Sequence, residues 1–158
     1  TQAPDGRIMP FNFKPAFQVP GEGAAFFLVS NKRPVDSLCE VQNVSVNIEG
    51  QDLQKADLNI IDTDGLLEDE TIYKRSLSPA VLSAAYSPLF GSMMNGSAFN
   101  CAAGALMLKK QTIFANPVKD NPHRLNIAVD TTGTNIELIR CTRYNCSHEK
   151  AVICLNKI

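Results

Sequence analysis

Asn135-Ile136-Glu137-Leu138-Ile139-Arg140-Cys141-Thr142 and Lys150-Ala151-Val152-Ile153-Cys154-Leu155-Asn156-Lys157 are two apolar-rich stretches separated by the turn-forming residues around Asn145. Side chains of a strand alternate between faces. A register with Cys141 opposite Cys154 and Arg140 opposite Leu155 puts Ile136, Leu138, Ile153 and Leu155 on one side, so the pair reads as an antiparallel hairpin with one buried face. The same period of two recurs upstream. Val44, Val46 and Ile48 alternate with Asn43, Ser45 and Asn47, and Phe11, Phe13, Pro15, Phe17 and Val19 alternate with Asn12, Lys14, Ala16 and Gln18. Pro10, Pro15 and Pro20 cannot donate to a ladder, which places the first strand at an edge.

Between these lie weaker signals. Ala24 to Val29 is continuously apolar, as in a strand covered on both sides, and Asn31-Lys32-Arg33-Pro34 is a turn. Ala56 to Ile61, Cys101 to Leu108, Gln111 to Ala115 and Leu125 to Val129 read as further strands. Asp62 to Glu70 is acidic and polar around Gly65 and reads as a solvated loop. Ser78-Pro79 offers a helix cap followed by proline at the first helical position, which predicts one short helix over 79–86. The sum is an all-β chain, an antiparallel two-sheet sandwich of jelly-roll type in a single domain, residues 1–158.

Composition is consistent with one core. The 158 residues are 44% hydrophobic and 20% charged, with a net charge of −1, which excludes disorder and a molecule basic enough to bind nucleic acid as a whole. No stretch approaches the roughly 18 consecutive apolar residues of a membrane helix.

Chemistry-bearing constellations are sparse. His123 and His148 both sit among turn residues. Cys141, Cys146, His148 and Cys154 can in principle make a Cys3His zinc set, but zinc sites bring cysteines in tighter pairs, so no metal is assigned. Cys141 and Cys154 are disulfide candidates if they are direct cross-strand neighbours; otherwise they are small buried hydrophobes. Asp62, Asp64 and Gly65 resemble the opening of a calcium loop, yet that order would put Ile60 and Thr71 at ligand positions; a looser carboxylate set with Glu68, Asp69 and Glu70 stays open. No nucleophile motif such as G-x-S-x-G or C-x-x-C is present, so neither catalysis nor a cofactor is expected. Asn43, Asn95 and Asn145 begin Asn-x-Ser sequons and are glycosylation candidates. Lys109, Lys110, Arg140 and Arg143 are the basic residues for local nucleic-acid contact.

Two groups of residues carry a family resemblance. Ile8-Met9-Pro10-Phe11 followed by Val44-Ser45-Val46, and Arg143-Tyr144-Asn145-Cys146 followed by Ala151-Val152-Ile153-Cys154, resemble small coat proteins of satellite plant viruses of the tobacco mosaic satellite virus type. The resemblance implies a non-enzymatic jelly-roll subunit that assembles with copies of itself into an icosahedral shell, located in the virion, with RNA as a partner. The chain departs from such coats in lacking a basic N-terminal arm: residues 1–10 hold only Arg7. The alternative expectation is an extracellular, disulfide-stabilised and glycosylated recognition or pilus-type β-sandwich module.

Overall fold

A computed structural model of the protein describes residues 5–13, 18–47 and 55–158. Its centre is a mixed five-stranded sheet of order β1-β7-β6-β2-β3, built from β1 (Glu40–Val46), β2 (Leu58–Ile61), β3 (Leu82–Ala84), β6 (Leu138–Tyr144) and β7 (Lys150–Asn156). β7 is antiparallel to both β1 and β6, whereas β2 is parallel to both β6 and β3. A two-residue ladder joins β4 (Thr112–Ile113) to β5 (Thr132–Gly133). The helices are α1 (Thr71–Ser76) and the 15-residue α2 (Gly96–Lys110). An all-β antiparallel sandwich is therefore the wrong class: parallel pairing at β2 and a helix packed on the sheet make this a mixed α and β architecture.

The largest correction lies at α2, where a strand was expected over Cys101 to Leu108. That run has no β-branched residue, and Ala102, Ala103, Ala105, Leu106, Met107 and Leu108 are good helix formers. A short apolar run does not distinguish a buried strand from a buried helix by periodicity. Gly104 then settles the packing. A Cβ there would stand 3.1 Å from Leu155 Cδ1 and 3.4 Å from both Ile139 Cγ2 and Ile60 Cδ1, so the helix backbone rests directly on β7, β6 and β2. Leu58, Ile60, Cys101, Met107, Leu108, Ile139, Cys141 and Leu155 make the core between helix and sheet. Phe11, Ile61, Tyr73 and Tyr144 form a second cluster, on the other face of the sheet.

Helix 79–86 is also absent. The Val81 amide donates to the Ser78 carbonyl, closing a turn, and the chain continues as β3 beside β2. Phe11 and Asn12 belong to a 3-10 turn rather than a strand, and residues 14–17 and Ile48 lie outside the described residues. Ala24 to Val29 forms no strand and is largely uncovered. Leu125 to Val129 contributes only an isolated bridge, Ile127 to Ser83.

The hairpin and the Val44 strand are present as β6, β7 and β1. The hairpin register is one residue away from the expected one: Cys141 faces Ile153, and Cys154 faces Arg140. A slip of one residue turns side chains to the opposite face. Cys141 consequently joins the core under α2 while Cys154 packs on the far face with Leu138 and Val152, and all five cysteines are free thiols. The sheet separates the two proposed disulfide partners.

Candidate functional site

The parallel strand β2 ends at Ile61, and its next residue, Asp62, is held beside β6 by its amide, which donates to the Thr142 carbonyl at 3.1 Å. In open sheets with parallel strands, the carboxyl ends of those strands are where ligands and chemistry collect. Here three consecutive backbone carbonyls are fixed by hydroxyls from distant parts of the chain. Tyr73 Oη donates to the Asp62 carbonyl at 2.7 Å, Ser87 Oγ to the Thr63 carbonyl at 2.8 Å, and Ser92 Oγ to the Asp64 carbonyl. Tyr73 Oη also accepts from the Tyr144 amide at 3.3 Å. Gly65, at φ +77°, turns the chain away in a conformation that glycine adopts without strain.

This anchoring drives an acidic cluster inward. Asp62, Asp64 and Glu70 keep only 2%, 2% and 4% of their surface, where a solvated loop was expected. The counterion is Arg143, from the α2 face of β6: Nη1 donates to Asp62 Oδ2 at 2.7 Å, and Nη2 lies 3.4 Å from Asp64 Oδ2. Ser97, in the first turn of α2, donates through Oγ to Asp62 Oδ2 at 3.0 Å and accepts from Arg143 Nη1 at 3.3 Å. The Asp62 carboxylate therefore sits against the positive end of a 15-residue helix. Space is tight, since a Cβ on Gly96 would stand 3.1 Å from Asp62 Oδ1. Glu70 Oε1 accepts from the Gly65 amide at 2.9 Å, and Asp64 Oδ1 from the Leu66 amide at 3.1 Å.

One guanidinium faces Asp62 and Asp64, and the third buried carboxyl, Glu70, has no cation beside it, so burial dominates their protonation. It raises the Asp62 pKa against the pull of Arg143. It pushes Asp64 up to about 7, helped by the neighbouring Asp62 charge, and Glu70 up to about 8 against the hydrogen bond from Gly65. At neutral pH Glu70 is mostly protonated and Asp64 about half so. By linkage, the native state binds protons that the unfolded chain has released, so stability falls as pH rises from about 4 to about 8 and is level above that.

Beside Asp62 lies a cavity of about 40 Å³, lined also by Ser97, Asn100, Cys101, Cys141 and Arg143. Asp62 Oδ1 and Asn100 Oδ1 have no hydrogen-bond partner among the described residues. The Cys101 and Cys141 thiols hydrogen-bond each other across the helix-sheet junction, and that bond together with burial raises Cys141. The arrangement can deliver a proton at neutral pH and place a guanidinium against developing negative charge.

The sequence-derived candidates are distributed differently. Arg143 is committed to Asp62 and Asp64; Arg140 belongs to the opposite face of the sheet; Lys109 and Lys110 are exposed at the far end of α2, where they complement its dipole. The four basic residues do not converge on an RNA-binding surface. Asn43 is exposed on β1, Asn95 precedes α2 and donates to the Gly23 carbonyl at 3.3 Å, and Asn145 is engaged with Glu149 in the hairpin loop. His123 bonds the Asn12 carbonyl and stacks near Phe13, and His148 is exposed in the hairpin loop. Among the described residues no group of three His, Cys, Asp or Glu side chains can hold a metal ion, and no helix is long and apolar enough to cross a membrane. Tyr73, Ser87, Ser92 and Ser97 carried no signal in the sequence. Their roles depend on contacts 11 to 35 residues away.

No family model and no curated protein matches the chain. Solved structures do. The ishigamide ketosynthase/chain length factor is similar with a TM-score of 0.61 at 13% identity, over 77% of this chain and 38% of that one. The ketosynthase from module 1 of the bacillaene synthase of Bacillus amyloliquefaciens FZB42 gives 0.57 at 10% identity, and ketosynthase twelve of the bacillaene polyketide synthase gives 0.56 at 9%; each covers 77% of this chain and 30% of its own. This chain thus spans about a third of the length of the proteins it matches. These matches overturn the resemblance to satellite-virus coat proteins, and with it the non-enzymatic shell subunit, its place in the virion and its RNA partner. The extracellular pilus-type module, drawn for the same sandwich, falls with them. In its fold the chain is similar to the ketosynthase domains of polyketide synthases, an enzyme fold.

Proposed function

We propose that the chain contributes the proton-handling part of a ketosynthase-type site acting on acyl thioesters. The observation that carries this reading is the buried acid cluster in which Arg143 pairs with Asp62 at the cavity and with Asp64 behind it, Asp64 and the nearby Glu70 being raised to about 7 and about 8. Joining two thioesters takes a proton from the carbon beside one carbonyl, forms a carbon–carbon bond to the other carbonyl as its thiolate leaves, and builds negative charge on that carbonyl oxygen on the way. A carboxyl that titrates near neutrality can take the carbon-bound proton in its carboxylate form and pass it to the departing thiolate, and a guanidinium with the N-terminus of α2 can hold the charge on oxygen. A cavity of about 40 Å³ admits a carbonyl or a water and no acyl chain.

The test is incubation of the protein with short-chain acyl thioesters, with saturable binding followed by calorimetry and keto product by mass spectrometry. Binding that Arg143→Lys weakens at least tenfold, while the circular dichroism spectrum is unchanged, supports the reading. Absence of both binding and product, or indifference to Arg143→Lys, overturns it.

A further inference from the structure

The seat of α2 on the sheet sets two thiols against each other. Cys101 and Gly104 stand three residues apart on one face of α2, and Ile139 and Cys141 two apart on one face of β6. Those spacings nearly match, at about 5–6 Å on a helix and about 6.5 Å on a strand. A Cβ on Gly104 would stand 3.4 Å from Ile139 Cγ2, so Cys101 comes over Cys141 with the two backbones close. A disulfide requires such an approach, its Cα atoms lying within about 7 Å. Both thiols belong to the core beneath the helix, and both line the cavity at Asp62.

The remaining thiols are placed differently. Cys154 packs on the opposite face of the sheet, Cys146 is exposed in the hairpin loop, and Cys39 is half-buried at the edge of the same core. Among the described residues no third ligand completes a metal set, which leaves the pair to thiol chemistry. A hydrogen bond from Cys141 holds the Cys101 thiol below its ordinary value; the same bond, with burial, raises Cys141. Cys101 is thus the nucleophile of the pair, and Cys141 the neighbour that can close a disulfide on it. Arg143 lines the same cavity and offers a cation to a departing hydroxide. One water takes about 10–15 Å³ of such space. A cavity of about 40 Å³ therefore admits a two-oxygen molecule and excludes a peptide disulfide.

We propose that Cys101 and Cys141 form a peroxide-reactive dithiol, a modification site whose oxidant is hydrogen peroxide. The Cys101 thiolate attacks one peroxide oxygen. The sulfur–oxygen bond forms, the oxygen–oxygen bond breaks, and the departing hydroxide takes up the proton that Cys101 released, leaving a sulfenic acid and one water. The Cys141 sulfur then attacks the Cys101 sulfur. The sulfur–sulfur bond forms, the sulfur–oxygen bond breaks, and the hydroxide leaves with the Cys141 proton as a second water. The two thiols lose two electrons, the peroxide gains them, and α2 is tied to β6 beside Arg143. Neither thiol has a part in the proton chemistry proposed above.

The test treats the native full chain with hydrogen peroxide, alkylates the remaining thiols and locates disulfides by mass spectrometry of peptides. The expected result is a linkage of Cys101 to Cys141 that dithiothreitol reverses, formed at least tenfold faster than in the urea-unfolded chain. Cys141→Ser should stop at a Cys101 sulfenic acid, captured by dimedone, and Cys39→Ser should leave the linkage unchanged. Glutathione disulfide, too large for the cavity, should link the pair at least tenfold more slowly than peroxide at the same concentration. No linkage in the native chain, a linkage of Cys101 to Cys39 in its place, or an equal rate in the unfolded chain overturns the proposal. The wild-type peptide map decides it even where a serine variant fails to fold.

Discussion

Arg143→Ala is expected to destabilise the protein by about 3 kcal/mol at pH 8, because it leaves buried carboxylates without their counterion. For a domain of this size that lowers the thermal midpoint by on the order of 10 °C. The loss depends on pH in a way that identifies its cause. Asp62 and Asp64 face the guanidinium directly, and Glu70 lies behind them. In mild acid these groups take up protons and need a counterion less, so the same variant should lose distinctly less stability at pH 5 than at pH 8. Asp62→Asn introduced into Arg143→Ala should recover part of the loss at pH 8 by removing one unpaired charge. Thermal unfolding followed by circular dichroism at the two pH values measures all three effects. An equal loss at both pH values would mean that the arginine acts through packing alone.

Gly104→Val should cost about 2 kcal/mol or more, the penalty of forcing extra carbon atoms into a filled core. The position has no room: Leu155, Ile139 and Ile60 all stand within 3.4 Å of a Cβ placed there. A β-branched residue is also a weaker helix former than most. The substitution discriminates between folds. In a strand over Cys101 to Leu108, valine for glycine raises β propensity and is neutral or stabilising; in a helix seated on the sheet it is damaging. Chemical denaturation midpoints of the two proteins decide between these outcomes.

What the sequence conveyed follows from which interactions are local. Val44 and Val46 against Asn43 and Ser45, and the apolar rows of β6 and β7, are period-two patterns written along the chain, and those strands form. On β1, however, Ser45 is buried while Val44 and Val46 are exposed, the reverse of a strand with its valines inside. The register of β6 on β7 is fixed by what lies above and below the sheet, and so Cys141 and Cys154 part to opposite faces. Cys101 to Leu108 is apolar on every side and carries no period; its helix-forming composition and the close seat of Gly104 on the sheet decide for a helix. The Asp62 to Glu70 segment is the hardest case. Its composition is that of a solvated loop, and its burial depends on Tyr73, Ser87, Ser92 and Arg143 arriving from four separate places. Arg143 was legible as a cation, and its partner could not be read from its neighbours in sequence. Short β-rich matches such as Ala151 to Cys154 misled for a related reason, since an alternating apolar strand serves a jelly roll and a mixed sheet equally well.

Carboxyl carbon NMR titration of the protein with Asp64 and Glu70 assigned tests the inward-folded acid cluster most directly. Both carboxyls should remain protonated well above the usual carboxylate range, with midpoints near about 7 for Asp64 and about 8 for Glu70. Midpoints for both at about 4, where carboxyls titrate in water, would contradict the burial of this loop around Arg143 and remove the proton-handling site with it.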